Sequence, residues 1–346
     1  MEDGEKSPDR DVPTYSDKRP PDCHTCSSDG KRFTVEGYCQ TRNDYLCETC
    51  YKLHNIPNPD DTLQHVISSE LDFKTASVTI LPDINTRTTS DNCNSSLTGL
   101  TLLYPNTLLA ADYSNCTLKE IDVTTNTVIS QLFFACKPWD ITLLPGDQAA
   151  LTLPNDKMIQ FISTNGRLSC LRAISVSDEC YGISSVDTTL VVSYRYPAKI
   201  EIMDFTCTVI NIINTDNNGH IMFKDPAYIT VVREKSEEMI YVSNRDANAI
   251  TKVSVKGKVL GTYKHKNWDR IAGLTCVGDG QILVCNLGGN SVDVVSTDEK
   301  DIVTLIDSTH GLEIPRTLCY CPSHAALYVS TYIDNYPICV FNFSNK

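Results

Sequence analysis

The chain has 346 residues, of which 41% are hydrophobic and 21% are charged, and its formal net charge is −13. These proportions are ordinary for a globular protein and exclude a wholly disordered or fibrous chain. The length predicts one to three domains. The acidic balance argues against broad electrostatic binding to nucleic acid.

Residues 1–20 are charged and Pro-rich and contain no apolar run. We therefore expect this segment to be disordered and to carry no secretion signal. The sequence contains no stretch of about 18 apolar residues, which predicts no membrane span and no membrane partner. A cytoplasmic or nuclear location follows, and there the 16 cysteines would stay reduced. We interpret those from Cys93 to Cys339 as small buried hydrophobic residues.

The segment 21–68 has the Cys and His spacing of a small zinc module. Its skeleton is Cys23-x2-Cys26, Cys39, Cys47-x2-Cys50-x3-His54 and His65. A Cys-x2-Cys knuckle turns the chain so that both sulfurs face one ion, and two knuckles supply four thiolates at about 2.3 Å. We therefore predict a zinc site formed by Cys23, Cys26, Cys47 and Cys50. A disulfide framework is the alternative, and a reducing compartment disfavours it.

The spacing Cys39-x7-Cys47-x2-Cys50-x3-His54 and the trailing His-Val-Ile resemble the B-box zinc finger of the tripartite-motif family. That family holds two zinc ions in a cross-braced arrangement. The resemblance implies that Cys39, His54 and His65 belong to a second site, with a fourth ligand three residues after Cys39.

Position 42, where that fourth ligand is expected, is an arginine. Arginine cannot coordinate a metal because it stays protonated and has no acceptor. We expect Asp44 to take its place in a weakened structural site, so the chain would bind one or two Zn²⁺ ions. An open site with three ligands is also the layout of a catalytic zinc, but no general base is placed to serve one.

Residues 69–94 form a polar linker with one predicted strand between Ala76 and Ile84. No heptad pattern of useful length follows the zinc module, and no RING-type array of Cys and His precedes Cys23. We therefore expect neither the coiled coil nor the ligase module that usually accompanies a B-box in the tripartite-motif family.

Residues 95–346 repeat with a regular period. An aliphatic residue starts a short strand at Leu100, Ile141, Ile183, Ile229, Leu274 and Leu318, with spacings of 41 to 46 residues. A second apolar run and then an alternating strand follow each of them. Four-stranded units of this length are typical of a β-propeller. The sequence thus predicts a mostly β protein, a zinc-bound finger followed by a six-bladed propeller, with a pair of β-sandwiches as the alternative.

The last repeat shows only three strands before the chain ends at Lys346. The strand near Ala76–Ile84 could supply the fourth, which would close the ring and protect an exposed sheet edge. The fourth repeat, DPAYITVVREKSEEMIYVSNRDANAITKVS, resembles an NHL-type repeat. A B-box followed by an NHL-like propeller also occurs in the tripartite-motif family.

The loops that enter each blade and those after each second strand share one face, and they carry aromatic and arginine side chains. Such residues are typical of protein-binding surfaces. The candidate binding face comprises Trp139, Arg195, Arg245, Trp268, Arg270 and Arg316, with Asp112, Tyr113, Asp140, Tyr181, Tyr196 and Tyr332 in the same loops. Each tryptophan could instead be a wedge packed between blades.

Three functions remain open. The favoured one is a non-catalytic adaptor that binds other proteins through the zinc module and the propeller, for instance beside a ubiquitin ligase. An RNA-binding propeller is the alternative, supported by the arginines and opposed by the net charge. The third is an enzyme, either a component of a ubiquitin ligase or a Ca²⁺-dependent hydrolase of propeller type. No Ser/His/Asp or Cys/His constellation and no convergent Ca²⁺ ligands can be argued from spacing. We therefore expect no catalytic residues and no small-molecule substrate.

Overall fold

A computed structural model describes residues 71–104, 106–216, 218–234, 237–277, 280–297, 301–332 and 338–345, together with three short N-terminal strands. The chain divides into two compact units. The first contains the three short strands, and the second contains the repeats.

The three N-terminal strands are β1 (Gly37–Cys39), β2 (Asp44–Leu46) and β3 (Gln64–His65). They form an antiparallel sheet in the order β2-β1-β3. The register pairs the backbone of Cys39 with that of Asp44, and Gly37 with His65. The other predicted zinc ligands, which are Cys23, Cys26, Cys47, Cys50 and His54, lie outside the described residues, as does the segment 1–20.

The repeats form six four-stranded antiparallel sheets, which confirms the predicted six-bladed propeller. Blades 1 and 2 consist of β5 (Leu97–Tyr104), β6 (Thr107–Asp112), β7 (Thr117–Asp122), β8 (Thr127–Phe133), β9 (Ile141–Leu144), β10 (Gln148–Leu153), β11 (Met158–Ser163) and β12 (Ser169–Ser175). Blades 3 and 4 consist of β13 (Cys180–Val186), β14 (Thr189–Arg195), β15 (Ala198–Asp204), β16 (Val209–Ile213), β17 (Pro226–Glu234), β18 (Glu237–Asn244), β19 (Ala249–Ser254) and β20 (Val259–Lys264).

Blade 5 consists of β21 (Ile271–Val277), β22 (Gln281–Asn286), β23 (Ser291–Ser296) and β24 (Ile302–Ile306). Blade 6 takes three strands from the C-terminal end, which are β25 (Pro315–Cys321), β26 (Ala326–Thr331) and β27 (Ile338–Ser344). Its fourth and outermost strand is β4 (Ser77–Ile84), from the opposite end of the repeat region.

The pairing of β4 with β27 closes the ring. It runs antiparallel from Ser77 opposite Ser344 to Ile84 opposite Ile338, with one register shift. Because β4 covers the outer edge of the last blade, the two ends of the repeat region are joined by main-chain hydrogen bonds.

The burial pattern explains why these residues form these strands. Second strands such as β26 are buried along their whole length, because neighbouring blades cover both of their faces. Their sequences are therefore continuous apolar runs. Outer strands such as β12 are mostly exposed. The apolar core therefore lies between successive blades.

Strand β9 begins at the predicted Ile141, whereas the first strands of the other five blades begin earlier than the aliphatic periodicity predicts. In five blades the register shifts within the first few pairs, as between Leu97 and Gly99 or between Cys180 and Ile183. Such a bulge adds a residue to one strand. In these five blades the predicted starting residues, Leu100 and Ile183 among them, lie inside the strands.

Short 3-10 turns are the helical elements of the described region. In the residues that the structure describes, no helix is long and apolar enough to cross a membrane.

We predict that removal of β4 destabilises the whole propeller. A chain that starts at residue 87 would lose β4 and uncover β27, in which Ile338, Phe341 and Phe343 are buried. Exposure of this apolar surface costs several kcal/mol, so the melting temperature should fall by about 10 °C or more. The control is a chain that starts at residue 71, which keeps the ring. Equal melting temperatures of the two chains, measured by circular dichroism, would contradict this role of β4.

Candidate functional site

One end of the propeller gathers two sets of loops. Because neighbouring strands are antiparallel, the loops that enter the blades lie at the same end as the turns that follow the second strands. We call this surface the axial face, defined by the segments before β5, β9, β13, β17, β21 and β25 and the turns after β6, β10, β14, β18, β22 and β26.

Side chains at the ends of second strands hold the entering loops in place. In three blades, an Asp or Asn at this position accepts a hydrogen bond from a backbone N–H of the loop that enters the same blade. The pairs are Ser96 with Asp112 at 3.0 Å, Asp225 with Asn244 at 3.2 Å, and Asp269 with Asn286 at 2.9 Å. These bonds fix the path of loops that have no regular structure.

A buried lysine fixes the segment that leads from β4 into blade 1. The side chain of Lys119 is fully buried, and its Nζ lies 2.7 Å from Asp91 and 2.8 Å from Asp112. It also donates to the carbonyl of Thr86 and the hydroxyl of Ser95, each at 2.9 Å. Burial alone would raise the pKa of Asp112, but the charge and hydrogen bond of Lys119 hold it below the ordinary value.

Trp139 lies at the centre of the axial face. Its ring centroid is 5.8 Å from that of Tyr113, 5.0 Å from Tyr181 and 5.9 Å from Tyr228. Tyr113 belongs to blade 1 and Tyr228 to blade 4, and these blades are opposite each other in a ring of six. A side chain that contacts both must lie across the axis. Trp139 is thus buried at the propeller axis, with only 6% of it exposed.

Arg316 of blade 6 lies between a buried and an exposed aromatic ring. Its guanidinium carbon is 5.0 Å from the ring centre of Trp139 and 5.1 Å from that of Tyr332, which is 59% exposed. Its Nη1 donates to the hydroxyl of Ser96 at 2.8 Å. Among the ion pairs of the described residues, Arg316 has no carboxylate partner.

Arg195 occupies the blade 3 side of the same cluster. It pairs with Asp225, to which Nη2 donates at 2.8 Å. Its guanidinium carbon lies 4.9 Å from the ring centre of Tyr181 and 5.7 Å from that of Tyr196, which is 64% exposed. The charge of Arg195 is therefore balanced within the chain, while Tyr196 remains open to a partner.

Lys137 completes the cluster. It is exposed, and its Nζ lies 4.7 Å from the ring centre of Tyr113. No carboxylate of the described region pairs with it. We call Tyr113, Lys137, Trp139, Tyr181, Arg195, Tyr196, Tyr228, Arg316 and Tyr332 the axial cluster.

Asp140 lies next to Trp139 in sequence and is buried. Its two oxygens accept hydrogen bonds from the backbone N–H groups of Ile141 at 2.9 Å and Ile183 at 3.1 Å. Burial raises its pKa to about 7, although these two hydrogen bonds act in the opposite direction. No group of three or more His, Cys, Asp or Glu residues in the described region could hold a metal ion.

Three of the six predicted face residues meet in the axial cluster, and the other three lie elsewhere. Trp139, Arg195 and Arg316 belong to the axial cluster. Arg245 is half-buried in the turn after β18, and Arg270, which is exposed, lies beside that turn because its N–H donates to Asn248 at 2.7 Å.

Trp268 is placed in the interior. It is 4% exposed, and its Nε1 donates to Asp293 at 2.7 Å. It packs within the core as a wedge, which is the structural role that the sequence left open for each tryptophan.

Tyr228 and Lys137 were not identified from the sequence. An alignment of the repeats shows part of the pattern that identifies the cluster. Two residues before the aliphatic residue that marks a first strand, it finds Trp139, Tyr181 and Arg316. Tyr228 stands one residue before its marker, within the bulge between Pro226 and Tyr228. The alignment therefore does not identify Tyr228.

No known protein family matches this sequence, and no curated protein does. Among solved structures, a Bacteroides thetaiotaomicron protein of unknown function is 11% identical with a TM-score of 0.64, over 78% of this chain and 76% of that one. Virginiamycin B lyase from Staphylococcus aureus is 13% identical with a TM-score of 0.53, over 78% and 90%.

The β-propeller domain of Cps50 (Swd1) from Myceliophteria thermophila is 12% identical with a TM-score of 0.51, over 72% of this chain and 83% of that one. At identities this low, the likenesses show the β-propeller fold alone. They do not transfer the lyase activity of a neighbour to this chain.

We predict that Trp139 contributes strongly to stability while the exposed tyrosines do not. Trp139→Ala removes a buried ring that joins opposite blades, so it should lower the free energy of unfolding by about 3–5 kcal/mol. Tyr332→Ala, on an exposed ring, should cost less than about 1 kcal/mol. Denaturant unfolding of both variants checks this, and a similar small cost for both would contradict the axial position of Trp139.

Proposed function

We propose that this chain is a non-catalytic adaptor that binds a partner protein at the axial face of its propeller. The observation that carries the proposal is the axial cluster. The buried ring of Trp139 supports Arg316 and the half-buried ring of Tyr181 supports Arg195, while Tyr196 and Tyr332 stay exposed. Rigid aromatic and arginine side chains of this kind dominate the energetics of protein interfaces.

The proposed second arm of the adaptor is a zinc module of the B-box type at residues 21–68. One ion would be held by Cys23, Cys26, Cys47 and Cys50, and another by Cys39, His54, His65 and Asp44. Support for Asp44 comes from the backbone register, which sets it directly opposite Cys39. The zinc ions would stabilise the module, because so small a segment buries too little surface to fold unaided.

An adaptor role without chemistry fits the described propeller. The proposed location is the cytoplasm or the nucleus, consistent with the free thiols of all cysteines from Cys93 to Cys339. Burial raises the pKa of Cys180, Cys319 and Cys339 to about 12, so they are poor nucleophiles. A supporting role beside a ubiquitin ligase is the refinement that the tripartite-motif resemblance suggests.

The test is affinity capture with the full chain and a double variant, Tyr196→Ala with Tyr332→Ala. We expect the double variant to lose the captured partner proteins by tenfold or more, since two rim contacts of about 1 kcal/mol or more each are removed. The matched control is Ile129→Ala with Leu171→Ala, two exposed apolar residues on outer strands away from this face. Equal loss in both double variants, or in neither, would refute the assignment of the face.

The same affinity-capture experiment distinguishes the RNA-binding alternative from the adaptor proposal. RNA held by phosphate contacts would be released steeply as the salt concentration rises. Captured material that is RNA, and that is lost with Arg316→Gln, would favour the alternative over the adaptor.

For the zinc module, we predict two zinc ions per full-length chain by elemental analysis and none in a chain that starts at residue 71. Asp44→Ala should lower the content to one, because only the second site loses a ligand. One ion in the unsubstituted protein would contradict the role of Asp44, and none would refute the module.

A further inference from the structure

We propose that the axial face recognises an acidic segment of its partner, with a carboxylate seated on Arg316 and a second anionic group near Lys137. This inference rests on the proposed function, because it names the chemistry that the adaptor binds. The inference depends on which cations of the axial cluster are paired with a carboxylate of the chain.

The cluster holds three cations, and each lies over an aromatic ring. Arg195 lies over Tyr181, but Asp225 already neutralises it. Arg316 and Lys137 lie over Trp139 and Tyr113 and have no carboxylate partner among the described residues. Within the described residues, the axial cluster therefore offers two positive charges that no carboxylate of the chain balances.

The surroundings of Arg316 suit a carboxylate. Its planar guanidinium carries five N–H donors, of which Nη1 donates to Ser96. Stacking between Trp139 and Tyr332 restricts the side chain before a ligand arrives. A preordered guanidinium fork matches a carboxylate in a bidentate pair, and preorganisation lowers the entropic cost of binding.

One buried donor beside Arg316 also lacks a partner. In the described part of the chain, the Nε1 of Trp139 is buried and finds no hydrogen-bond partner. Trp139 lies under Arg316. Unpaired buried donors are rare in folded proteins. The surroundings of Arg316 thus leave one donor without an acceptor.

Asp140 is a carboxylate near Arg316, and it carries the same charge as the proposed ligand. It acts on Tyr228, whose pKa is raised to about 12 chiefly by burial, with Arg316 opposing and Asp140 adding to the rise. Both oxygens of Asp140 already accept backbone N–H groups. No ion pair of the described residues joins it to Arg316, and Arg316 is not among the groups that shift its pKa.

A peptide fits this surface better than a nucleic acid. The cluster has two cations without a carboxylate partner. A nucleic acid is held by many contacts between cations and phosphates, and their combined charge dominates its affinity. Carboxylates border the same cluster, among them Asp225 and Glu179, which accepts a hydrogen bond from the hydroxyl of Tyr181 at 2.8 Å. The net charge of −13 adds repulsion toward a polyphosphate. A short acidic segment offers one or two carboxylates and apolar contacts for Tyr332.

The experiment uses the full chain and fluorescein-labelled decapeptides in matched pairs, in which two central Glu residues flanked by Leu and Ser are replaced by Gln. Fluorescence polarisation at low salt measures each affinity. We expect the Glu peptides to bind about tenfold or more tightly than their Gln counterparts. Arg316→Gln should abolish this difference, and Lys137→Gln should reduce it.

The controls are Arg167→Gln and Lys256→Gln, which remove exposed cations from turns at the opposite end of the propeller. Both should keep the full preference for Glu. Arg316→Lys keeps the charge but loses the fork, so it should recover part of the preference. If Arg316 acted only in folding, the preference for Glu would not fall in the order unsubstituted protein, Arg316→Lys, Arg316→Gln. Melting curves identify any variant that fails to fold.

Glu and Gln peptides that bind equally, with binding lost in Tyr332→Ala, would overturn the carboxylate inference and leave the adaptor proposal standing. The inference also fails if no Glu peptide binds while the captured partner is retained by Arg316→Gln. Binding of a uridine decanucleotide in place of the peptides, sensitive to Arg316→Gln, would overturn both proposals in favour of RNA.

Discussion

The pairing of β4 with β27 is the constraint on which the rest of the propeller depends. It closes a ring in which residues far apart in sequence become neighbours, as in the hydrogen bond from Ser330 to the carbonyl of Leu97 at 3.2 Å. Each blade is a sheet of local hairpins, but a blade buries its faces only against its neighbours. Opposite blades can meet at Trp139 only when the ring is complete.

Closure and the axial cluster are linked by the segment between β4 and β5. Lys119 holds this segment through Asp91, Thr86 and Ser95, and its last residue, Ser96, accepts the hydrogen bond from Arg316. The strand that closes the ring thus leads directly to the residue that orients the central arginine. The same geometry that stabilises the fold presents a preordered cation at its axis, which is why we associate binding with this end of the propeller.

Much of the architecture could be predicted from the sequence, because a blade repeats its apolar pattern and burial follows that pattern. The number of blades and the closing strand both follow from the period and from the missing strand of the last repeat. The site could be predicted only in part. Trp139 stands two residues before the marker Ile141 and crosses the axis, whereas Trp268 stands six residues before the marker Leu274 and bonds to Asp293. Loop path and bulges decide the difference, and neither has a sequence period. The zinc module stays a prediction.

The two tryptophans of the chain allow a direct measurement of where a partner binds. The captured partner, or the acidic segment of it, is titrated into the Trp268→Phe and Trp139→Phe variants while tryptophan emission is recorded. Binding over the axis changes the surroundings of Trp139, so the emission should shift in Trp268→Phe and stay constant in Trp139→Phe. A partner that binds both variants with no change in the emission of Trp139 would contradict the claim that the axial face is the binding site.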